Sequence, residues 1–211
     1  MRRKKSNFFI FLFFGLETQY SSQISTINRG GFIVFLEDNP AKIKFYNSTS
    51  NFDSTRIHRV KYQTIIRDVY KILKHARQNQ KDCYISAIAR PSSSKHDVHS
   101  SSSRKCKFMS LATNVPKEVY EVKWDLVIAD GPEGDKPKSP GRMAAIYIVD
   151  VVARRRKKNN GTHVLVHDVD RMIEKWFSWE FLCDTNLFSS KGKFWDFNIL
   201  AKPNRTTFCR A

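Results

Sequence analysis

The chain has 211 residues, of which 41% are hydrophobic, and its formal net charge at pH 7 is +17. The hydrophobic content excludes a wholly disordered protein. The length suits one α/β domain with a sizeable core, so we predict a single domain over residues 1–211. The positive charge indicates an anionic partner, and a nucleic acid, an acidic membrane surface and a polyanionic glycan all fit that description.

The first half of the chain alternates between strand and helix patterns, which is typical of an α/β fold. Its clearest strand ends on two acids, Glu37 and Asp38, and its clearest helix keeps one apolar stripe. The basic and apolar start also resembles a signal peptide, but we favour a first strand because a nucleotide-fold pattern follows it. The predicted strands span 8–14, 32–36 and 57–62, and the predicted helices lie within 15–30, at 40–46 and at 64–78.

The four cysteines show no C-x-x-C spacing, which argues against a zinc site. An even number of cysteines fits two disulfides formed in an oxidising compartment, and buried free thiols remain the alternative. We hypothesise the pairs Cys83–Cys106 and Cys183–Cys209, because each would close a segment without crossing the sheet. The first pair brackets a serine-rich stretch at 89–105, which we predict to be a flexible loop.

In the second half, two predicted strands end on polar residues. Four apolar residues at 126–129 predict a strand covered on both faces, which ends at Asp130 before a Gly-Pro turn. A strand at 162–166 ends at His167 and Asp168. Right-handed crossovers place both strand ends on one edge of the sheet, where ligands bind in open α/β folds. The remaining predicted elements are helices at 143–152 and from 172 onward, and a terminal strand or hairpin within 192–200.

Long motifs in this half resemble a known family. They are DGPEGD from residue 130, PGRMAAIY from 140, THVLVHDVDR from 162 and EKWFSWEFLC from 174. These motifs resemble the plant polysaccharide-biosynthesis methyltransferases formerly grouped as a domain of unknown function. The motifs look most like those of the glucuronoxylan 4-O-methyltransferases, and the irregular-xylem proteins of the same family are close relatives of these enzymes. The resemblance implies a class I, Rossmann-like fold, a mostly parallel sheet flanked by helices. It also implies S-adenosyl-L-methionine-dependent O-methylation of glucuronic acid side groups of xylan, in the Golgi lumen, during cell-wall biosynthesis.

The resemblance assigns cofactor-binding roles to Gly15, Glu37, Asp38 and Asp130. A dinucleotide-type fold needs a glycine-rich turn after its first strand and an acid after its second strand for ribose hydroxyls. Family members resemble F-G-L-G at the turn, whereas this chain has Glu17 at the last position. We therefore expect Glu17 to weaken cofactor binding through its bulk and negative charge.

Methyl transfer also needs a group that takes up the proton of the acceptor hydroxyl. We predict that Asp130, His167 and Asp168 are catalytic, with Asp130 taking up the proton or orienting the cofactor. The alternative is that Asp130 only caps the Gly-Pro turn. Together with Asp170, these residues also offer ligands for a divalent cation, since hard cations prefer carboxylate oxygens.

The acidic substrate requires a cation, and we predict that Arg142 and Arg171 bind its carboxylate, because a guanidinium matches two oxygens. The basic run at 154–158 is expected to be a solvated helix end. Trp176, Trp179 and Trp195 are candidates for stacking on sugars, although aromatic residues at helical spacing usually belong to a core.

The predicted partner is therefore an acidic polysaccharide, glucuronoxylan. A nucleic-acid partner is not predicted, because the basic residues are spread along the chain and no nucleic-acid-binding motif occurs. Members of the family usually carry an N-terminal membrane anchor and a stem, and we expect neither within these 211 residues. The alternative function is that of a non-catalytic, irregular-xylem-like protein in xylan biosynthesis with a decayed cofactor loop.

Overall fold

The structure is a computed structural model that describes most of the chain. The described residues are 10–15, 28, 31–49, 55–88, 106, 108, 111–155, 161–201 and 207–209, with only the backbone described at 10, 49 and 85–88. Three predictions lie outside these residues: the obstruction by Glu17, nearly all of the helix within 15–30, and the flexible loop at 89–105.

A seven-stranded sheet forms the centre of the fold, in the order β3-β2-β1-β6-β7-β9-β8. Strands β1, β2, β3, β6 and β7 run parallel, while β9 is antiparallel to both β7 and β8. A separate antiparallel pair joins β4 to β5. The strands are β1 (Ile10–Phe14), β2 (Phe32–Glu37), β3 (Thr55–Arg59), β4 (Lys61–Tyr62), β5 (Ala112–Thr113), β6 (Leu126–Ala129), β7 (Thr162–Val166), β8 (Leu187–Lys191) and β9 (Phe194–Ile199).

Six helices are described around this sheet, and the predicted α/β, mostly parallel, Rossmann-like fold is confirmed. One of them, α5, is buried along its whole length, which suits a helix whose only charged residue is Asp150. None of the described helices is long and apolar enough to cross a membrane. The helices are α1 (Pro40–Thr49), α2 (Val69–Gln78), α3 (Gln80–Ile88), α4 (Lys117–Glu121), α5 (Met143–Ala153) and α6 (Met172–Phe177).

The two faces of the sheet carry separate apolar clusters. In the larger cluster, Leu12, Val127 and Val164 of the sheet pack together with α5 and with the aromatic side chains of Phe177 and Phe181. The smaller cluster covers the opposite face around Phe13 and Phe35, whose rings stack 4.8 Å apart. Burial on both faces explains why the parallel strands are continuous apolar runs.

The helix predicted at 64–78 begins later than expected. Ile65 is extended, a short 3₁₀ turn covers Ile66–Asp68, and α2 starts only at Val69. The amides of Ile66 and Arg67 donate to carbonyl oxygens of the loop before α5, at Ser139 and Pro137. The prediction was wrong at this end because a long-range contact uses the amides that a first helical turn would leave free.

Both hypothesised disulfides are confirmed, between Cys83 and Cys106 and between Cys183 and Cys209. The expectation of a solvated helix end at 154–158 is wrong for Arg154, the first of these residues. Arg154 is buried, and its Nε donates to Asp150 at 2.7 Å while an Nη atom donates to the carbonyl oxygens of Phe181 and Phe208.

Candidate active site

The candidate site lies where the connections of the sheet change direction, between the central strands β1 and β6. In open α/β sheets this switch point creates a crevice beyond the carboxyl ends of the strands. Gly15 and Gly131 follow the two strands and touch each other, since a Cβ added at Gly15 would lie 2.8 Å from the Gly131 Cα. Gly15 also has φ +91°, a conformation that favours glycine. No larger residue fits at this contact, so both glycines are required to shape the crevice.

Asp130 and His167 meet at this edge, as the parallel strand ends predicted. The Asp130 Oδ1 lies 2.6 Å from the His167 Nδ1, and both side chains keep some exposure to solvent. The His167 ring stacks on Phe194 with centroids 4.2 Å apart and an interplanar angle of 18°. The carboxylate and the aromatic ring together fix the imidazole orientation, so that Nδ1 faces Asp130.

Arg142, at the start of α5, lies buried among three carboxylates, which we call the acidic cluster (Asp130, Asp168 and Glu174). Its two Nη atoms lie 2.7 Å from Asp168, 3.4 Å from Asp130 and 3.5 Å from Glu174, and they also donate to the carbonyl oxygens of Asp130 and His167. Arg142 is only 5% exposed. The predicted substrate-binding role of Arg142 therefore has little support in this geometry, because its guanidinium holds the protein's own carboxylates.

Asp168 lies between His167 and the more exposed cation Arg171. Its Oδ1 lies 3.6 Å from the His167 Nε2, and its Oδ2 lies 3.2 Å from an Nη atom of Arg171. Burial alone would raise the pKa of Asp168, but the hydrogen bond and charge of Arg142, with the charges of His167 and Arg171, lower that pKa below its usual value. Asp168 is therefore a carboxylate at neutral pH, and Arg171 is the predicted cation that reaches solvent.

Sequence reasoning missed Glu174, the third carboxylate around Arg142. Glu174 is 1% exposed, and burial raises its pKa despite the opposing hydrogen bond and the charges of Arg142 and Arg171. A signal was available, because Glu174 precedes the core residues Phe177 and Phe181 by three and seven positions and so shares their helix face. An acid on an apolar stripe indicates a buried partner. Phe194, which holds His167, had no such local signal.

The predicted cofactor residues occupy the ends of the first two strands. Glu37 ends β2, is buried, and accepts a hydrogen bond from the Asn39 amide at 2.8 Å, while Asp38 is half-buried beside it. The buried hydroxyl of Tyr62 has no hydrogen-bond partner among the described residues. Burial raises the pKa of Tyr62, and the negative charges of Asp38 and Glu37 raise it further. Strand-end acids, a buried polar hydroxyl and the glycine contact fit a nucleoside-bearing cofactor.

Three of the four residues predicted to bind a divalent cation contact basic side chains of the protein. Asp170 is exposed and lies 3.6 Å from the Nζ of Lys193, while the Arg142 guanidinium bridges Asp130 and Asp168. Within the described ranges, one group of side chains is close enough to share a metal ion, namely His75 with Cys83 and Cys106. Those two cysteines form a disulfide, which leaves no thiolate for a metal. A metal ion at the acidic cluster stays a prediction.

The chain is similar to known proteins along most of its length. The sequence profile of the IRX15/IRX15L/GXM family matches residues 1–197. Arabinogalactan O-methyltransferase 2 of Arabidopsis thaliana is 36% identical over 93% of this chain and 62% of its own length. Glucuronoxylan 4-O-methyltransferase 2 of the same plant is 35% identical over 90% and 60%, and Protein IRX15-LIKE is 33% identical over 94% and 58%.

The chain thus spans about 60% of the length of these curated relatives. No solved structure matches the chain. The family profile covers nearly the whole sequence, including the motifs that carry Asp130, Arg142, His167 and Asp168. By this coverage, the chain belongs to the IRX15/IRX15L/GXM family.

Proposed function

We propose that this chain is an S-adenosyl-L-methionine-dependent O-methyltransferase that acts on the glucuronic acid side groups of glucuronoxylan. The observation that carries the proposal is the Asp130–His167 pair, with 2.6 Å between Oδ1 and Nδ1, at the switch-point edge of the sheet. Relatives named as O-methyltransferases of xylan and arabinogalactan support this chemistry.

The methyl donor would be held at the ends of β1, β2 and β6. Gly15 would allow the backbone to approach it closely, and Glu37 with Asp38 would accept hydrogen bonds from its ribose hydroxyls. When bound, S-adenosyl-L-methionine supplies an electrophilic methyl group, and the sulfonium sulfur that carried this group becomes a neutral thioether. The chain's own task is therefore to place the acceptor oxygen and remove its proton.

His167 is the proposed proton acceptor. Asp130 accepts a hydrogen bond from the His167 Nδ1, and the Nε2 atom, 3.6 Å from the Asp168 Oδ1, would take the proton of the sugar hydroxyl. Asp130 also stabilises the imidazolium that results. Arg142 positions both Asp130 and Asp168, and a buried arginine between carboxylates resists displacement because uncompensated charge would be costly there.

Arg171 is the proposed binding residue for the uronic acid carboxylate. Its side chain is 41% exposed, and its contact with Asp168 keeps the guanidinium next to the strand ends. An arginine can bind a carboxylate through two parallel hydrogen bonds, which gives orientation as well as affinity. Arg171→Lys should therefore weaken the binding of an acidic substrate more than that of a neutral one.

Two alternatives remain in view. Arabinogalactan is the second candidate acceptor, because two relatives that bear its name are 36% and 35% identical to this chain. The second alternative is a non-catalytic role in xylan biosynthesis, which the similarity to Protein IRX15-LIKE supports. The Glu17 substitution in the cofactor turn is the sequence feature that favours this alternative.

The proposed location is the Golgi lumen. Two disulfides suit an oxidising secretory compartment, since cytosolic proteins rarely keep structural disulfides. An acidic polysaccharide as the partner also agrees with the net charge of +17.

The decisive experiment uses the purified chain with its disulfides intact. We expect radiolabelled methyl groups to pass from S-adenosyl-L-methionine to unmethylated glucuronoxylan, and not to xylan that lacks glucuronic acid. Label in arabinogalactan instead would select the second acceptor. Calorimetry with the methyl donor separates the remaining cases: donor binding without transfer to any polysaccharide, or no donor binding at all, would contradict the proposal. The second result would favour the non-catalytic role.

A further inference from the structure

Two tryptophans and a lysine form a surface beside the candidate site, which we call the tryptophan platform (Lys175, Trp179 and Trp195). The rings of Trp179 and Trp195 lie 5.5 Å apart with an interplanar angle of 34°, and the Lys175 Nζ is 6.0 Å from each ring centroid. Trp179 is 45% exposed and Trp195 is half-buried. Trp179 reaches the surface, so the expectation that it belongs to the core is wrong, whereas Trp195 is partly buried and packs against the larger apolar cluster.

The surroundings of the platform hold it in place. Trp179 lies in a π-helical turn, Ser178–Leu182, whose Ser178, Phe181 and Leu182 are buried. Trp195 pairs with Val166 in the register of β9 against β7, and its ring lies 6.1 Å from that of the buried Phe197. Aromatic rings fixed by buried neighbours lose little freedom on binding, which favours a role in recognition.

The platform lies close to the proposed chemistry. Val166, the register partner of Trp195, is the residue directly before His167. Lys175 stands one helical turn after Arg171, and its amide donates to the Arg171 carbonyl oxygen at 3.2 Å. Four residues advance a helix by about 6 Å, so the platform begins roughly that far from the arginine proposed to bind the uronic acid.

We propose that the tryptophan platform binds the acidic polysaccharide whose uronic acid enters the site. This inference rests on the proposed function for the identity of the polymer. The two ring faces would stack on the apolar C–H faces of sugar rings, and the ammonium group of Lys175 between them would pair with a carboxylate of the same chain. The net charge of +17 adds a long-range attraction for a polyanion.

Single-stranded RNA is the rival ligand, because aromatic rings and cations also bind its bases and phosphates. A polysaccharide is favoured by the family, whose relatives are named for xylan and arabinogalactan. The experiment therefore measures both ligands, with no methyl donor present, so that binding is separated from catalysis.

Affinity electrophoresis and calorimetry with glucuronoxylan test three variants, Trp179→Ala, Trp195→Ala and Lys175→Gln. Each tryptophan variant should bind glucuronoxylan about tenfold more weakly than the unmodified chain, the scale of losing one stacked ring. Lys175→Gln should weaken binding to glucuronoxylan but not to xylan stripped of glucuronic acid. Phe188→Ala is the matched control, because Phe188 is 68% exposed on the edge strand β8, outside the platform, and should bind normally.

The outcomes separate this inference from the proposed function. Weaker binding by the variants supports the platform even if the unmodified chain transfers no methyl group, in which case the proposed function alone fails. Normal binding by all three folded variants, with folding checked by circular dichroism, overturns the platform even if methyl transfer is seen. The platform is also overturned if the unmodified chain does not bind glucuronoxylan. The same holds if the variants lose binding to poly(U), the single-stranded RNA probe, as strongly as they lose binding to glucuronoxylan.

Discussion

Arg142 organises the candidate site at the scale of single residues. Its guanidinium contacts three carboxylates, and burial makes those contacts costly to break. The position of Asp130 is thereby fixed from one side by Arg142 and from the other by His167. A proton acceptor gains from such fixed geometry, because proton transfer requires the base within hydrogen-bond reach of the hydroxyl.

Asp130→Asn tests this arrangement with almost no change in shape. The amide cannot stabilise an imidazolium at His167, so methyl transfer should fall by about two orders of magnitude or more. The assay is radiolabelled transfer to glucuronoxylan at equal protein concentration. Asp196→Asn is the matched control, because Asp196 pairs with His163 at 3.1 Å within the strands rather than at their carboxyl ends. Equal activity in the two variants would remove Asp130 from the mechanism.

The lowered pKa of Asp168 predicts a pH effect on stability. The folded protein keeps this carboxylate ionised to a lower pH than the unfolded chain, whose Asp pKa is about 4. The stabilisation is therefore present above about pH 4 and is lost as the pH falls through the pKa of the folded state. Urea denaturation should show that Asp168→Asn lowers the unfolding free energy most near pH 7 and that the difference shrinks toward pH 3.

The control for the pH series is Asp135→Asn, since Asp135 is an exposed acid in the loop before α5. Its effect on the unfolding free energy should be small at every pH. A gap between Asp168→Asn and the unmodified chain that stays constant from pH 7 to pH 3 would mean that the ion pairs with Arg142 and Arg171 do not stabilise the ionised carboxylate.

At the scale of elements, local patterns predicted β1, β2, β6 and β7 well because each is a largely apolar run with polar or turn residues at its end. The single strand predicted at 57–62 is instead divided between β3 and β4, which are short, largely polar and belong to different sheets. The strands at 126–129 and 162–166 were placed at their observed bounds, and their parallel arrangement predicted the meeting of Asp130 with His167. The start of α2 was missed because the amides of Ile66 and Arg67, just before this helix, donate hydrogen bonds to the loop before α5. Pairing between Arg142 and Glu174 was also missed: the helical spacing places Glu174 on a buried face, but it does not identify a partner that lies on another helix.

The end of α5 shows why a basic run can mislead. Arg154 follows an apolar helix and lies next to other basic residues, yet it turns inward to Asp150, which is 0% exposed. The basic composition of the run at 154–158 predicted exposure to solvent, whereas the buried carboxylate of Asp150, one turn earlier, required a cation beside it. The pair Asp150 and Arg154, four residues apart, was the sequence signal for this contact.

Arg154→Met should lower the free energy of unfolding by about 3–5 kcal/mol, because buried Asp150 loses its close contact with the Arg154 guanidinium. The double variant Asp150→Asn with Arg154→Met should recover part of that loss, which a double-mutant cycle in urea would measure. Lys117→Met is the surface control: Lys117 pairs with Glu121 at 3.0 Å in solvent and should change stability little. A loss as small as that of the control would contradict the buried pairing.

At the scale of the whole molecule, strand order was beyond sequence reasoning, since it depends on pairings between distant segments. The disulfide pairing was predictable because the four cysteines flank separate segments. Cys209 fixes the described end of the chain at 207–209, where Phe208 is 1% exposed and contacts Tyr84, Tyr147 and Phe181. This segment therefore completes the larger apolar cluster over α5.

Removal of this disulfide should loosen the segment and leave the site in place. The cysteines are 26 residues apart, and a loop of this size contributes about 2–4 kcal/mol by restricting the unfolded chain. The double variant Cys183→Ala with Cys209→Ala should lose that stability in urea, yet keep methyl transfer at temperatures where it is folded. Asp130, His167 and Asp168 lie outside the loop, and β9, which carries Phe194 and Trp195, is held in place by its pairing with β7. The unmodified chain with reductant is the control. If the variant unfolds at the same urea concentration as the oxidised chain, the disulfide contributes nothing to stability; if it is folded but inactive, the terminal segment takes part in the site.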